Sequence, residues 1–207
     1  MLLVVSSPEM LENEPAVINQ LFAAGLKLFH LRKPEAGEGE LRTMLTAILE
    51  EYRPRVVLHS HHQLAREFGI HRIHFKESDR MKLTANDYRR MENTELVYST
   101  SVHSPEAFQS LNQVFRYAFF GPVFESISKP GYKPEKYTKP YFGKCRSAKL
   151  IGIGGITQTN AASLLEKGFD GVALCGTIWQ SGNKVDAFEK ILRNLAISKV
   201  DESGLGK

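Results

Sequence analysis

Chemistry-bearing residues gather at five places in the chain: His30-Leu31-Arg32-Lys33, His59-Ser60-His61, Ser99-Thr100-Ser101 with His103, Gly154-Gly155, and Cys175-Gly176-Thr177. Each stands at or just beyond the end of a short apolar run. Gly154-Gly155 precedes Ile156 and Thr157, the expected N-cap of a helix. Glycines there let backbone N–H groups approach an anion closely, and a helix N-terminus adds partial positive charge. Gly176-Thr177 supplies a second half of the same cradle. Two such turns after consecutive final strands make a recurring phosphate site in α/β barrels. Arg32 and Lys33 offer a second anion site, although an adjacent Arg-Lys pair is more often a solvated loop. Lys129 follows Ser126-Ile127-Ser128 in a long loop, from which its ammonium could reach a diphosphate leaving group. Asp79 is a carboxylate of the kind that holds Mg²⁺ beside substrate phosphates. His59-Ser60-His61 is an H-x-H pair that zinc hydrolases use at barrel strand ends, with His30, His74 and His103 near the same mouth. No carboxylate on the final strand completes that zinc reading, and it leaves the phosphate cradle unexplained.

Placing these residues on one rim requires regular elements. Eight apolar runs recur: Leu2–Ser6, Leu26–Leu31, Arg55–His59, Arg72–Phe75, Leu96–Val102, Tyr117–Val123, Lys149–Gly154 and Gly171–Gly176. Their Val, Ile, Leu and Phe content suits strands buried on both faces. Helix-like stretches separate them: Glu14–Ala24 before Gly25, Gly39–Tyr52 before Pro54, Ser60–Phe68 before Gly69, and Thr157–Lys167 before Gly168. Glycine after a helix and proline beyond its end are expected stop signals. Ser104-Pro105-Glu106 reads as an N-cap with proline in the first turn. Asp186–Ile197 forms the last helix. Alternation of strand and helix predicts parallel pairing with right-handed crossovers. Eight units of about 26 residues favour a closed (β/α)₈ TIM barrel over an open doubly wound sheet. The expected domain is 1–198, with 199–207 a flexible tail. Residues 76–95 hold only a short helical piece. Segment 124–148 is rich in Lys, Gly and Pro, and its part 124–143 is a candidate lid.

Composition bounds the class. The 207 residues carry 42% hydrophobic side chains and a net charge of +4, with both signs mixed along the chain. There is no apolar run of membrane-spanning length, and MLLVVSSPEM has no basic region or cleavage signal, so it reads as a first strand. Two cysteines, Cys145 and Cys175, are too few for a disulfide framework and suit a reducing cytoplasm. The aromatic residues form no RNA-reading motif, so neither nucleic acid nor membrane is an expected partner. A homodimer is left open.

From about Leu28 to Ile178 the strand-end motifs resemble the thiamine-phosphate synthase and thiazole tautomerase family. The segments that carry the resemblance are FHLRK (29–33), IHFKESD (73–79), STSVHS (99–104), FFGPVFESISKPGY (119–132), IGIGGIT (151–157) and GVALCGT (171–177). The resemblance implies coupling of an aminopyrimidine methyl diphosphate to a thiazole phosphate, with Mg²⁺ and cationic side chains stabilising the departing diphosphate. It implies diphosphate-side roles for Arg32, Ser101 and Lys129, and a Mg²⁺ ligand at Asp79. It implies thiazole phosphate contacts at Ser126, Ser128, Gly155, Cys175 and Gly176, with Gly154 in the same turn. His30 stands where synthases usually carry Gln, near the pyrimidine. The pattern Gln-Leu-Arg-x-Lys reads His30-Leu31-Arg32-Lys33-Pro34, so Lys33 is displaced by one position. An Asn-Asp pair reads His59-Ser60, leaving one of two metal carboxylates missing and His59 in its neighbourhood. The tautomerase alternative needs no metal and uses a histidine as acid/base, for which His103 is the candidate. The position after the glycine of the sixth strand, where tautomerases can carry His, is Pro122. A catalytically degenerate phosphate-binding relative is the third expectation.

Overall fold

The computed structural model describes residues 1–125 and 148–204, with side chains of the last helix as far as Ala196. Eight parallel strands close into a barrel in sequence order. They are β1 (Leu2–Val5), β2 (Leu28–Leu31), β3 (Val56–Leu58), β4 (Arg72–Phe75), β5 (Val97–Val102), β6 (Phe115–Phe120), β7 (Lys149–Ile153) and β8 (Gly171–Leu174). The pairing of Leu3 with both Leu28 and Ala173 closes the ring. Helices α1 (Glu14–Ala23), α2 (Glu38–Ala47), α3 (Leu64–Glu67), α4 (Glu77–Arg80), α5 (Ala85–Glu92), α6 (Pro105–Gln109), α7 (Ala161–Glu166), α8 (Gly176–Trp179) and α9 (Lys184–Gly204) lie along the connections. No described helix is long and apolar enough to cross a membrane.

Each strand sends alternate side chains to opposite faces. One set, including Phe29, Val56, Leu58, Ile73, Phe120 and Leu174, packs outward against the helices. The other set fills the barrel: Leu3, Val5, Leu28, Tyr117, Phe119, Ile151 and Ala173, with Ile153 and Cys175 above them. The interior is not uniformly apolar. His30, His74 and Ser99 are buried there too, so the wall built by β2 to β5 is polar and the wall built by β6 to β1 is aliphatic and aromatic.

Several boundaries differ from the sequence expectation. The stretch expected as one helix over 39–52 breaks after Ala47, and a 3₁₀ turn over Glu50–Arg55 follows with Pro54 inside it. Proline lacks the N–H that an α-helix interior needs. The helix expected over 60–68 contracts to α3, since His61 takes a positive φ of 49°. Residues 76–95 hold two helices rather than one short piece, and Thr84 with Asp87 makes a capping box that starts α5. β6 begins at Phe115 and ends before Gly121-Pro122, where proline cannot continue the ladder. α6 starts as expected, with Ser104 Oγ accepting the Ala107 N–H at 3.1 Å. The last helix runs past the expected end at Ile197 to Gly204. Segment 126–147, which contains Ser126, Ser128, Lys129 and most of the candidate lid, lies outside the described residues.

Candidate active site at the barrel mouth

Arg32, His59, His74, Lys76, Ser101 and His103 line one pocket at the C-terminal ends of β2 to β5, walled also by Val5, Phe119, Gly121 and Ile153. The structure therefore brings together five expected residues: Arg32, His59, His74, Ser101 and His103. Ser6 sets the first of them. Its buried hydroxyl accepts the Arg32 N–H and donates to the Arg32 carbonyl, both at 2.8 Å. The Arg32 guanidinium makes no hydrogen bond or ion pair among the described residues and is exposed to the mouth. His103 donates its Nδ1–H to the Gly121 carbonyl at 2.7 Å, which turns Nε2 toward Glu77 at 3.8 Å.

Lys33 does not join them. It is buried, its ammonium donates to the Glu9 carbonyl at 2.6 Å, and it pairs with the Glu14 carboxylate. Successive residues of an extended segment point to opposite sides, so Arg32 and Lys33 part. Burial raises the Glu14 carboxyl above its ordinary range even with Lys33 beside it. Asp79 also stands apart from the pocket lining. It lies in α4, and Lys76 and Lys82 face its two oxygens at 3.7 and 3.6 Å.

Below the mouth the histidines form a connected cluster. His30 Nδ1 hydrogen-bonds His59 Nε2 at 2.9 Å, and His30 Nε2 hydrogen-bonds the Tyr117 hydroxyl at 2.9 Å. His74 is held by the hydroxyls of Ser99 on Nδ1 and Ser101 on Nε2, each at 2.9 Å. The His59 and His74 rings stack with centroids 4.1 Å apart. Register explains the row: His74 pairs with Ser99, and Ser99 pairs with Tyr117 across β4, β5 and β6. Desolvation pushes His30 and His59 well below the ordinary histidine range, and His74 down to about 3. These three imidazoles are neutral at pH 7. The Tyr117 phenol is pushed up to about 12 by burial. His62 is half-buried against Phe75 and also lowered by burial.

Across the mouth lie the two glycine turns. Gly154 and Gly155 take φ of +101° and +64°. A Cβ on Gly155 would meet the Glu125 carbonyl at 2.2 Å, so the residue serves both conformation and close approach. The helix expected to cap at Thr157 starts later, after Asn160. Asn160 instead staples the turn: its Oδ1 accepts the Thr157 N–H at 2.8 Å and its Nδ2 donates to the Gly155 carbonyl at 2.9 Å. The Thr177 hydroxyl donates to the Ile156 carbonyl and ties the second turn to the first. The N–H groups of Gly155, Ile156, Gly176 and Thr177 have no acceptor among the described residues. Cys175 contributes a half-buried thiol, raised by desolvation, that donates to the Ser6 carbonyl at 3.5 Å. Trp179 in α8 donates its indole N–H to the Val5 carbonyl at 2.6 Å, clamping the second turn to β1.

Lys76, Asn160 and Tyr117 were not expected at the site from the sequence. Strand alternation around Tyr117 and Ser99 was the available signal. Asn160 carried none, because its role rests on a turn whose shape only the glycine conformations define.

A family model described as thiamine monophosphate synthase matches residues 1–178. A thiamine-phosphate synthase from Listeria monocytogenes serovar 1/2a is 30% identical over 184 residues, covering 81% of this chain and 82% of the relative. One from Koribacter versatilis is 28% identical over 160 residues, covering 75% and 74%. Among solved structures, a thiamine phosphate pyrophosphorylase from Bacteroides thetaiotaomicron superposes with a TM-score of 0.72 at 23% identity, covering 95% and 98% of the two chains. A thiamine phosphate pyrophosphorylase from Pyrococcus furiosus gives 0.75 at 16% identity, covering 95% and 96%. At those identities the two structures bear on the fold.

Proposed function

The chain belongs to the thiamine monophosphate synthase family, and from that membership we propose that it couples an aminopyrimidine methyl diphosphate to a thiazole phosphate with release of diphosphate. The observation that carries this reading is the two-sided mouth. The Arg32 guanidinium, without a partner among the described residues, faces it from beyond β2, and four N–H groups with no acceptor among the described residues lie in the tied glycine turns after β7 and β8. One side suits a leaving diphosphate and the other a phosphate monoester.

In this reading Arg32 offsets charge that grows on the diphosphate as its bond to the pyrimidine methylene breaks. Charge stabilisation of a developing anion is often the largest contribution to such a step. Ser101 presents a hydroxyl on the same wall, and Lys129 and the Ser126/Ser128 pair are assigned by resemblance to the lid side. Gly154, Gly155, Cys175 and Gly176 hold the thiazole phosphate, which fixes the ring nitrogen toward the methylene carbon. The neutral His30, His59 and His74 floor carries no net charge at pH 7. Phe119 and Val5 supply the apolar wall opposite. The reading places this work in the cytoplasm, on small phosphorylated substrates.

Mg²⁺ is implied by the resemblance, and the residues present do not fit it. Mg²⁺ takes oxygen ligands in near-octahedral geometry. Ser60 stands in place of one expected carboxylate, and both oxygens of Asp79 face lysine ammonium groups. The metal-competent group found among the described residues is made of imidazoles. No step of the reading is routed through Mg²⁺.

The family match and the synthase relatives do not favour the tautomerase alternative. Purified protein incubated with both substrates is expected to form thiamine phosphate. Arg32→Ala should lower kcat at least about tenfold while leaving thiazole phosphate binding intact. No product from wild-type protein, or equal loss of thiazole phosphate binding in Arg32→Ala, counts against the assignment.

A further inference from the structure

We propose that His30, His59 and His74 form a binding site for one borderline transition cation of the Zn²⁺ class at the floor of the barrel mouth. One ring nitrogen from each of the three lies within 4.8 Å of the others. Tetrahedral Zn²⁺ with Zn–N bonds of about 2.0–2.1 Å holds its nitrogens about 3.3 Å apart. That spacing falls between the 2.9 Å of the His30–His59 contact and the 4.8 Å limit of the group. Modest ring rotations bring the set to coordinating distance.

The surroundings supply what such a site needs beyond its ligands. Zinc-bound histidines usually direct the second ring nitrogen at an oxygen that fixes ring orientation. His30 Nε2 already rests on the Tyr117 hydroxyl, and His74 Nδ1 rests on Ser99 Oγ. With Nε2 of His74 on the cation, Ser101 Oγ is released toward the pocket that it lines. His59 and His74 line the open mouth, so the ion enters there and keeps a position for water or a phosphate oxygen. Imidazole nitrogen selects Zn²⁺, Cu²⁺ or Ni²⁺ over Mg²⁺. The rival account is a hydrogen-bonded imidazole network that binds no ion.

Tag-free protein stripped with chelator and titrated separately with Zn²⁺ and Mg²⁺ tests the site without any substrate, so its failure leaves the coupling reading standing. After desalting, one Zn²⁺ per chain and no Mg²⁺ should remain. His59→Asn and His74→Gln should each weaken Zn²⁺ at least about tenfold, whereas the exposed His71→Ala should match wild type. Pulsed EPR of Cu²⁺-loaded wild-type protein should count three imidazoles, and it decides the matter if a variant fails to fold. Absent stoichiometric Zn²⁺, unchanged uptake in both variants, or fewer than three imidazoles on copper overturns the proposal.

Discussion

Replacing Lys33 by methionine should unfold this protein more readily without removing a substrate contact. The Lys33 and Glu14 side chains have no exposed surface. Lys33→Met leaves a buried carboxylate whose Oε1 already lacks a hydrogen-bond partner. Removing one partner of such a pair typically costs about 3–5 kcal/mol. That is a large part of the roughly 5–15 kcal/mol that holds an ordinary domain folded. Glu14→Met together with Lys33→Met removes both charges and should recover to within about 1–2 kcal/mol of wild type, the residue being mainly the lost bond to the Glu9 carbonyl. The deficit of the single variant should also depend on pH. Folded-state Glu14 is raised above its unfolded value, so its contribution is best at low pH and is lost as pH rises through the folded pKa. Without Lys33 the carboxyl rises further, and the deficit should shrink as the solution is acidified. Urea unfolding followed by circular dichroism at several pH values measures all three variants, with KM for each substrate measured beside it. A Lys33→Met protein of wild-type stability with a large rise in KM for the diphosphate would refute the reasoning and return Lys33 to the active site.

The histidine floor predicts a second pH effect in metal-free protein. His30, His59 and His74 are depressed on folding, so their stabilisation is complete above the unfolded value of about 6.5 and is lost as pH falls below it. Each contributes a slope of about 1.4 kcal/mol per pH unit, and urea midpoints that stay flat from pH 6.5 to 5 would contradict it. Gly155→Ala should destabilise by about 1–3 kcal/mol and weaken thiazole phosphate in calorimetry, because φ is +64° and the new methyl meets the Glu125 carbonyl. Asn160→Ala should raise KM for the thiazole phosphate with little change in kcat, since it frees the Gly155 carbonyl and the Thr157 N–H without touching the reacting atoms. Calorimetric titration of free protein with Mg²⁺ should show no saturable heat, and a one-site isotherm abolished by Asp79→Asn would overturn the reading of that carboxylate.

The barrel was legible because its signal is local and repeated. Eight apolar runs with glycine or proline stops appear in order, and pairing between neighbours follows from that order. Strand ends moved by one to three residues, as with Leu26–Leu31 against Leu28–Leu31 and Tyr117–Val123 against Phe115–Phe120. The two glycine turns were legible for the same reason, since Gly154-Gly155 and Gly176 follow their strands directly. The histidine floor was legible in part, since strand-end position alone puts His30, His59 and His74 near one mouth. His30, His59 and His74 come from separate strands, and only barrel closure with its register brings their rings together. Lys33 lies away from Arg32, buried against Glu14, because an extended segment sends adjacent side chains to opposite sides. Thr157 was misread as a cap because the competing Asn160 takes its hydrogen bonds from a turn with two positive-φ glycines.

Trp179 is the single tryptophan of the chain. Its indole is fixed to β1 while its helix opens at Gly176, so its emission is a built-in optical gauge of the second glycine turn. Ring packing against Phe29, with centroids 6.3 Å apart, adds contact with the β2 wall. A phosphate drawing the Gly176 and Thr177 N–H groups toward itself would therefore be visible in stopped flow without any added dye. Occupation of the turn could then be timed separately from the breaking of the diphosphate bond.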